Sequence, residues 1–135
     1  MQIDLNKYTE FVKAITSRDS ENTDDLTERL YQLQLDANFN VSLAVTSAMG
    51  MSGEAGEFSE IFKKVLFHGK PFTEETRAHC AKELGDVIFY WTNACRALNL
   101  DPNQVIQQNV DKLSSRYPGG VFSAERSNNR EVGDI

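Results

Sequence analysis

The stretch GEAGEFSEIFKK, residues Gly53 to Lys64, lies in the middle of the 135-residue chain and contains the pattern that decides the fold. It is typical of an amphipathic helix, yet Glu54 and Glu57 stand three residues apart, so one helical face carries two charges that repel each other. Gly53 and Gly56 each weaken a helix by about 1 kcal/mol relative to alanine. Together with Gly50 they predict a close approach of another backbone or side chain, and the acids predict a cationic partner.

A second acid pair with the same spacing follows after 25 intervening residues, in the stretch KELGDVIFYW. Here Glu83 and Asp86 belong to a polar stripe with Tyr90 and Asn93. The apolar face of the same predicted helix comprises Leu84, Val87, Ile88, Trp91, Cys95 and Leu98. We assign Trp91 to the core rather than to stacking on a base, because it lies on this apolar face.

The two pairs together predict a metal site. Carboxylates at positions i and i+3 have Cβ atoms about 5–6 Å apart, and four facing carboxylates remain ionised only beside compensating cations. All-oxygen ligands favour a hard ion. We therefore expect Glu54, Glu57, Glu83 and Asp86 to hold Mg²⁺, with Mn²⁺ able to substitute.

The apolar periodicity is helical nearly throughout the chain. We expect a first helix capped by Asp4, a polar segment TSRDSENTDD, and a short helix or turn around Leu26 to Leu35. A long helix from about Phe39 to Phe67, one from Thr73 to about Leu98 and one from Asp101 to Arg116 follow, and then an irregular tail. The predicted fold is an all-α helical bundle whose metal-binding carboxylates lie on two neighbouring helices. Apolar residues on more than one side of these helices predict that oligomerisation completes the core.

Composition narrows the class of protein. The net charge of −6 leaves no basic excess for a duplex nucleic-acid groove. No apolar run approaches the length of about 18 residues that spans a membrane, and the first residues lack a secretory pattern. We expect a cytoplasmic protein. Cys80 and Cys95 fall in one helix, about 22 Å apart, which excludes a disulfide between them.

Two other functions fit acids on helices. A di-iron carboxylate bundle requires two Glu-x-x-His motifs, and neither His68 nor His79 follows an acid at that spacing. A non-catalytic helical module that binds a basic partner through its acidic face stays open as the alternative. Basic side chains favour catalysis on a polyphosphate, since metal ions and cations together neutralise phosphoryl oxygens. They are Lys63, Lys64, Lys82, Lys112, Arg116, Arg126 and Arg130.

The combined pattern resembles the MazG-like, all-α nucleoside triphosphate pyrophosphohydrolases, in their single-domain bacterial and phage form. The similarity rests on the two acid pairs and on GEAGE, the lysine pair, LFHGKP, KELGDVIFY, NVDKLSSRYP and FSAERSNNR, and it covers roughly residues 35 to 130. It implies one domain over residues 1–135, with an N-terminal segment 1–35, catalytic helices 36–118 and a tail 119–135.

The resemblance also implies an activity: Mg²⁺-dependent hydrolysis of a nucleoside triphosphate to the monophosphate and pyrophosphate, by a homodimer or homotetramer in a bacterium or a phage-infected host cell. The four acids would hold the ions, and Glu54 or Glu57 would orient or deprotonate the attacking water. Lys64, Lys112, Arg116 and Arg130 are candidates for phosphate contacts, and Asn109 for a contact to sugar or phosphate. Removal of damaged nucleotides and control of a deoxynucleotide pool both stay open. We expect purine deoxynucleotides such as dGTP to be the preferred substrates, an expectation that rests on no particular residue.

Overall fold

The computed structural model describes residues 5–129, and all of the regular structure in that range is helical, as predicted. In chain order the helices are α1 (Asn6–Ile15), α2 (Arg18–Glu21), α3 (Thr23–Ala37), α4 (Val41–Phe67), α5 (Glu74–Ala97), α6 (Pro102–Arg116) and α7 (Ala124–Asn128). None of these helices is both long enough and apolar enough to cross a membrane. The helices fall into two compact units, residues 1–41 and 42–135. The prediction of one domain stays a prediction.

The first unit contains more helix than the sequence predicted. The segment TSRDSENTDD holds α2 and the first residues of α3, because the Asn22 side chain accepts hydrogen bonds from the backbone N–H groups of Asp24 and Asp25, at 2.9 and 3.3 Å. An ion pair of 2.9 Å between Arg18 and Asp25 joins α2 to α3. The predicted short helix or turn is therefore a helix of 15 residues. The predicted cap Asp4 lies outside the described residues, and Leu5 occupies the N-cap position of α1.

The second unit follows the predicted boundaries closely, since its helices begin at side-chain caps that the sequence shows. Thr73 accepts a hydrogen bond from the N–H of Thr76 at 3.2 Å and begins α5. Asp101 accepts one from the N–H of Asn103 at 2.9 Å, followed by proline at the start of α6. One expectation was wrong: the tail contains α7, which is capped by Ser123. Its hydroxyl accepts from the N–H of Arg126.

The connection between α4 and α5 is a tight, well-anchored turn. Gly69 adopts a left-handed backbone with φ of +67°, and the N–H of Lys70 then donates to the Lys64 carbonyl at 3.2 Å. Phe72 lies 6.2 Å from the Phe62 ring, and the Arg77 guanidinium lies 5.2 Å from the Phe72 ring centroid. These contacts hold the end of α4 against the start of α5.

Close approach of α4 and α5 occurs at one of the three predicted glycines. A Cβ atom built on Gly50 would lie less than 3.0 Å from three ring atoms of Tyr90 on α5. Among residues 5–129, no side chain or backbone of another segment lies within 4 Å of the same position at Gly53 or Gly56, so the close approach expected at these two glycines is not seen there. Glycine at position 50 thus allows the Tyr90 ring to rest on the α4 backbone.

The orientation of α5 differs from the amphipathic pattern of its sequence. Glu83 and Asn93 of the polar stripe are buried, whereas Leu84 is 49% and Ile88 60% exposed. The other buried residues of α5 are small: Cys80, Ala97 and Cys95, the last of which belongs to the predicted apolar face. Both cysteines are free thiols, as predicted. The apolar face of α5 therefore lies largely outside the core of the chain.

Candidate metal centre

Three of the four predicted carboxylates meet between α4 and α5. One ligand oxygen from each of Glu54, Glu57 and Glu83 lies within 4.8 Å of the other two. Helical spacing puts Glu54 and Glu57 on one side of α4, and the Gly50–Tyr90 contact brings this side against α5. Glu83 is only 6% exposed, Glu54 is half-buried and Glu57 is exposed. The cluster therefore has a buried floor and an open edge.

The fourth acid, Asp86, lies near this cluster without belonging to its inner group. The pKa of the Glu54 carboxyl is raised above its ordinary value, first by burial and then by the negative charges of Glu57 and Asp86. A hydrogen bond shared with Glu83, and the charge of Glu83, raise it further. Asp86 thus acts electrostatically on Glu54, as expected for neighbouring carboxylates that lack a cation.

Glu83 has a partner that the sequence reasoning missed. Nε2 of His79, one helical turn earlier on α5, lies 2.8 Å from Oε1 of Glu83. The side chain of His79 is 56% exposed, so this contact lies at the edge of the cluster. The signal was present as a histidine four residues before a glutamate, since such residues are neighbours on a helix. This contact orients the most buried carboxylate of the cluster.

Glu60, the next acid along α4, behaves differently from the cluster. It forms ion pairs with Lys63 and, at 3.5 Å, with Lys64. The pKa of its carboxyl is lowered, mainly by the hydrogen bond from Lys63. Glu60 therefore has local cationic partners, whereas Glu54 has other carboxylates as its neighbours. This contrast separates a surface acid from the candidate ligands.

The donor set of the cluster fits a hard divalent cation. All donors are carboxylate oxygens, which Mg²⁺ and Mn²⁺ prefer to the nitrogen and sulfur ligands of zinc or copper. Burial and then repulsion by the neighbouring carboxylates raise the pKa of Glu54, and a bound cation would remove this repulsion. The open edge at Glu57 leaves room for water and substrate.

The predicted substrate residues lie in different places. Asn109 and Lys112 of α6 line an apolar cavity of about 680 Å³, together with Met51, Val87, Trp91 and Val105. Trp91 is half-buried there and faces open space, which differs from the core position predicted for it. Arg116 is a half-buried residue at the end of α6. Arg130 lies outside the described residues.

The α4 and α5 residues that line this apolar cavity point away from the exposed acids Glu57 and Asp86. On α4, Met51 lies about 120° round the helix from Glu57, and on α5, Trp91 lies about 140° round from Asp86. Asn109 and Lys112 therefore line a cavity whose walls on α4 and α5 turn away from Glu57 and Asp86. Their role in substrate binding stays a prediction.

Lys64 lies in a second cavity, of about 700 Å³, between the end of α4 and the start of α5. Lys70, Lys82 and His79 line it as well, and we call it the lysine cavity. It adjoins the carboxylate cluster, because His79 contacts Glu83. Among the predicted phosphate-binding residues that the structure describes, Lys64 lines the cavity that adjoins the carboxylate cluster.

Comparison with known proteins agrees with the resemblance seen in the sequence. A family model described as the MazG nucleotide pyrophosphohydrolase domain matches residues 42–121. The chain is also 37% identical over 81 residues to the Gene 37 protein of Mycobacterium phage L5, covering 59% of this chain and 71% of that protein. No solved structure matches the chain at a significant level. Because the family model spans more than half of the 135 residues and includes all four acids, the chain belongs to the MazG nucleotide pyrophosphohydrolase family.

Proposed function

We propose that this protein hydrolyses a nucleoside triphosphate, ribo- or deoxyribo-, to the nucleoside monophosphate and pyrophosphate with Mg²⁺ as cofactor. The observation that carries the proposal is the convergence of Glu54, Glu57 and Glu83 from two helices, at the pair of acid motifs matched by the family model. A cluster of repelling carboxylates with an open edge suits a cation that also contacts phosphate.

In this reaction the oxygen of water forms a bond to the α-phosphorus while the bond from that phosphorus to the bridging oxygen breaks. Pyrophosphate leaves with the electron pair, and one proton of the water passes to a carboxylate, Glu54 or Glu57. A bound divalent cation supplies charge neutralisation at the phosphoryl oxygens and a lowered pKa for water. Glu83 and Asp86 complete the ligand set, and His79 orients Glu83.

Basic residues complete the proposed substrate site. We assign phosphate contacts to Lys64, Lys112, Arg116 and Arg130 and a contact to sugar or phosphate to Asn109. For Lys112, the test is Lys112→Gln, which should raise KM for the triphosphate. A wild-type KM would remove Lys112 from the site.

We also propose that the active unit is a homodimer or homotetramer, working in the cytoplasm of a bacterium or a phage-infected cell. The support is that the apolar face of α5 is largely exposed, at Leu84 and Ile88. Exposed apolar patches of this kind mark interfaces between proteins. Light scattering that shows a stable species of 15.2 kDa at micromolar concentration would contradict the oligomer.

The experiment that tests the activity is a panel of all common ribo- and deoxyribonucleoside triphosphates incubated with the full chain and Mg²⁺. Chromatography should show nucleoside monophosphate and pyrophosphate in equal amounts from at least one substrate, and we expect purine deoxynucleotides such as dGTP among the best. Formation of nucleoside diphosphate and orthophosphate would indicate a different hydrolase. No turnover together with no Mg²⁺ binding in calorimetry would favour the non-catalytic interaction module.

A further inference from the structure

We propose that the lysine cavity is the binding site for the pyrophosphate part of the triphosphate, and for pyrophosphate itself as the leaving product. The inference rests on the proposed function, since it assigns the two outer phosphates of the same substrate to a particular place. The residues that would bind them are Lys70 and Lys82 with Lys64, and nothing in the family comparison assigns the first two.

The lining of the cavity is rich in lysine. Three lysines and one glutamate, Glu75, line it, in a chain whose net charge is −6. Because Lys64 also forms an ion pair with Glu60, the positive charge offered to an anion comes chiefly from Lys70 and Lys82. Among residues 5–129, neither Lys70 nor Lys82 forms an ion pair with an acid. Lysine ammonium groups concentrated in a concave site attract a multiply charged anion. A nucleobase or a neutral sugar has no comparable reason to bind there.

On both helices, a residue that lines the cavity lies on the same side as an exposed acid. Lys64 follows Glu57 by seven residues, two turns of α4, and so lies within about 20° of it round the helix. His79 precedes Asp86 by seven residues on α5 and has the same relation to it. A substrate whose α-phosphate lies at the open edge of the cluster can therefore extend its outer phosphates along this side, towards the lysines.

The walls of the cavity are rigid enough to form a built site. The N–H of Lys70 donates to the Lys64 carbonyl, which keeps the two residues adjacent. Phe72 is held between Phe62 and Arg77, and Thr73 caps α5. The lysines are thus carried by two long helices and one anchored turn, so little ordering is required when an anion binds.

The test is product inhibition of the full-length enzyme by inorganic pyrophosphate. In the double variant Lys70→Gln/Lys82→Gln, the inhibition constant of pyrophosphate should rise by about tenfold or more, as expected for the loss of charged hydrogen bonds. Inhibition by the nucleoside monophosphate should stay within twofold of wild type. Lys63→Gln is the matched control, because Lys63 is an α4 lysine outside the cavity that pairs with Glu60. Wild-type inhibition by pyrophosphate in the double variant would overturn the proposal.

A second variant predicts a change of opposite sign. Glu75→Gln removes the negative charge that lines the cavity, so pyrophosphate should bind and inhibit more tightly than in wild type. Unchanged or weaker inhibition in Glu75→Gln would also contradict the assignment.

Direct binding separates this proposal from the proposed function. Calorimetry with inorganic pyrophosphate, with and without Mg²⁺, needs no turnover. If no triphosphate is hydrolysed but pyrophosphate binds and the double variant loses this binding, the function fails and the anion site stands. If triphosphates are hydrolysed and wild type and double variant bind pyrophosphate alike, the function stands and the anion site fails.

Discussion

Gly50→Ala tests the contact that brings α4 and α5 together beside the cluster of Glu54, Glu57 and Glu83. The added Cβ would lie less than 3.0 Å from three ring atoms of Tyr90, where ordinary contacts are 3.4–4 Å. Relief requires the half-buried ring or the helix backbone to shift. Such overpacking costs about 1–3 kcal/mol, and alanine regains about 1 kcal/mol in helix propensity. We therefore expect the free energy of unfolding to fall by about 0–2 kcal/mol.

Gly53→Ala is the matched control, since it lies in the same helix with nothing within 4 Å of the new Cβ. It should raise the free energy of unfolding by up to about 1 kcal/mol. The propensity gain is common to both variants, so their difference of about 1–3 kcal/mol isolates the clash. Urea denaturation of the metal-free protein at one fixed protein concentration measures this difference.

The Tyr90→Ala background gives a further check. Without the ring, Gly50→Ala should become stabilising by about 1 kcal/mol, as at position 53. In the Tyr90 protein, Gly50→Ala should also weaken Mg²⁺ binding, because Glu54 lies one turn from the clash. The reasoning is refuted if Gly50→Ala and Gly53→Ala are equally stable with Tyr90 in place.

Three other predictions concern the acids and one buried hydroxyl. Glu57→Gln should abolish hydrolysis and reduce the rise in melting temperature that Mg²⁺ causes. In wild type this stabilisation is about 2.7 kcal/mol at a Mg²⁺ concentration of 100 times Kd. Glu60→Gln should retain most of the activity and most of the Mg²⁺ stabilisation. Equal behaviour of these two variants in activity assays and thermal melts would show that the metal site is misassigned. The folded state raises the pKa of the Glu54 carboxyl above 4.5, so this carboxyl holds its proton more tightly in the folded than in the unfolded protein. The free energy of unfolding of the metal-free protein should therefore fall as the pH rises from 4.5 through the folded pKa. Glu54→Gln should flatten this part of the curve, and a pH series of urea melts that is unchanged would contradict the shift. Ser47 is fully buried and its hydroxyl has no hydrogen-bond partner among the described residues. Ser47→Ala should therefore raise the free energy of unfolding by about 1 kcal/mol. A lower free energy of unfolding for Ser47→Ala in denaturant melts would show that the hydroxyl is paired.

Much of the fold was predictable because its signals are local. Thr73 and Asp101 cap their helices through their own side chains, and the turn after α4 follows from Gly69. The errors lie where local signals were misread. Asn22, within a polar run, caps a helix of 15 residues, and Ser123 caps α7 in what reads as an irregular tail.

The sequence by itself determined the boundaries of α5 and α6 and the two acid pairs, because caps and three-residue spacing depend only on the neighbouring chain. It also indicated that the pairs share a site, since four unpaired carboxylates need a common cation. Only the tertiary structure decided which side chains meet across the helices. It places the Tyr90 ring on Gly50 rather than on Gly53, and His79 against Glu83. It also places Lys64 in the cavity beside the acids, whereas Asn109 and Lys112 line another cavity. These relations depend on how far α4 and α5 are rotated about their axes. The same rotation leaves Leu84 and Ile88, on the apolar face of α5, largely exposed in the single chain.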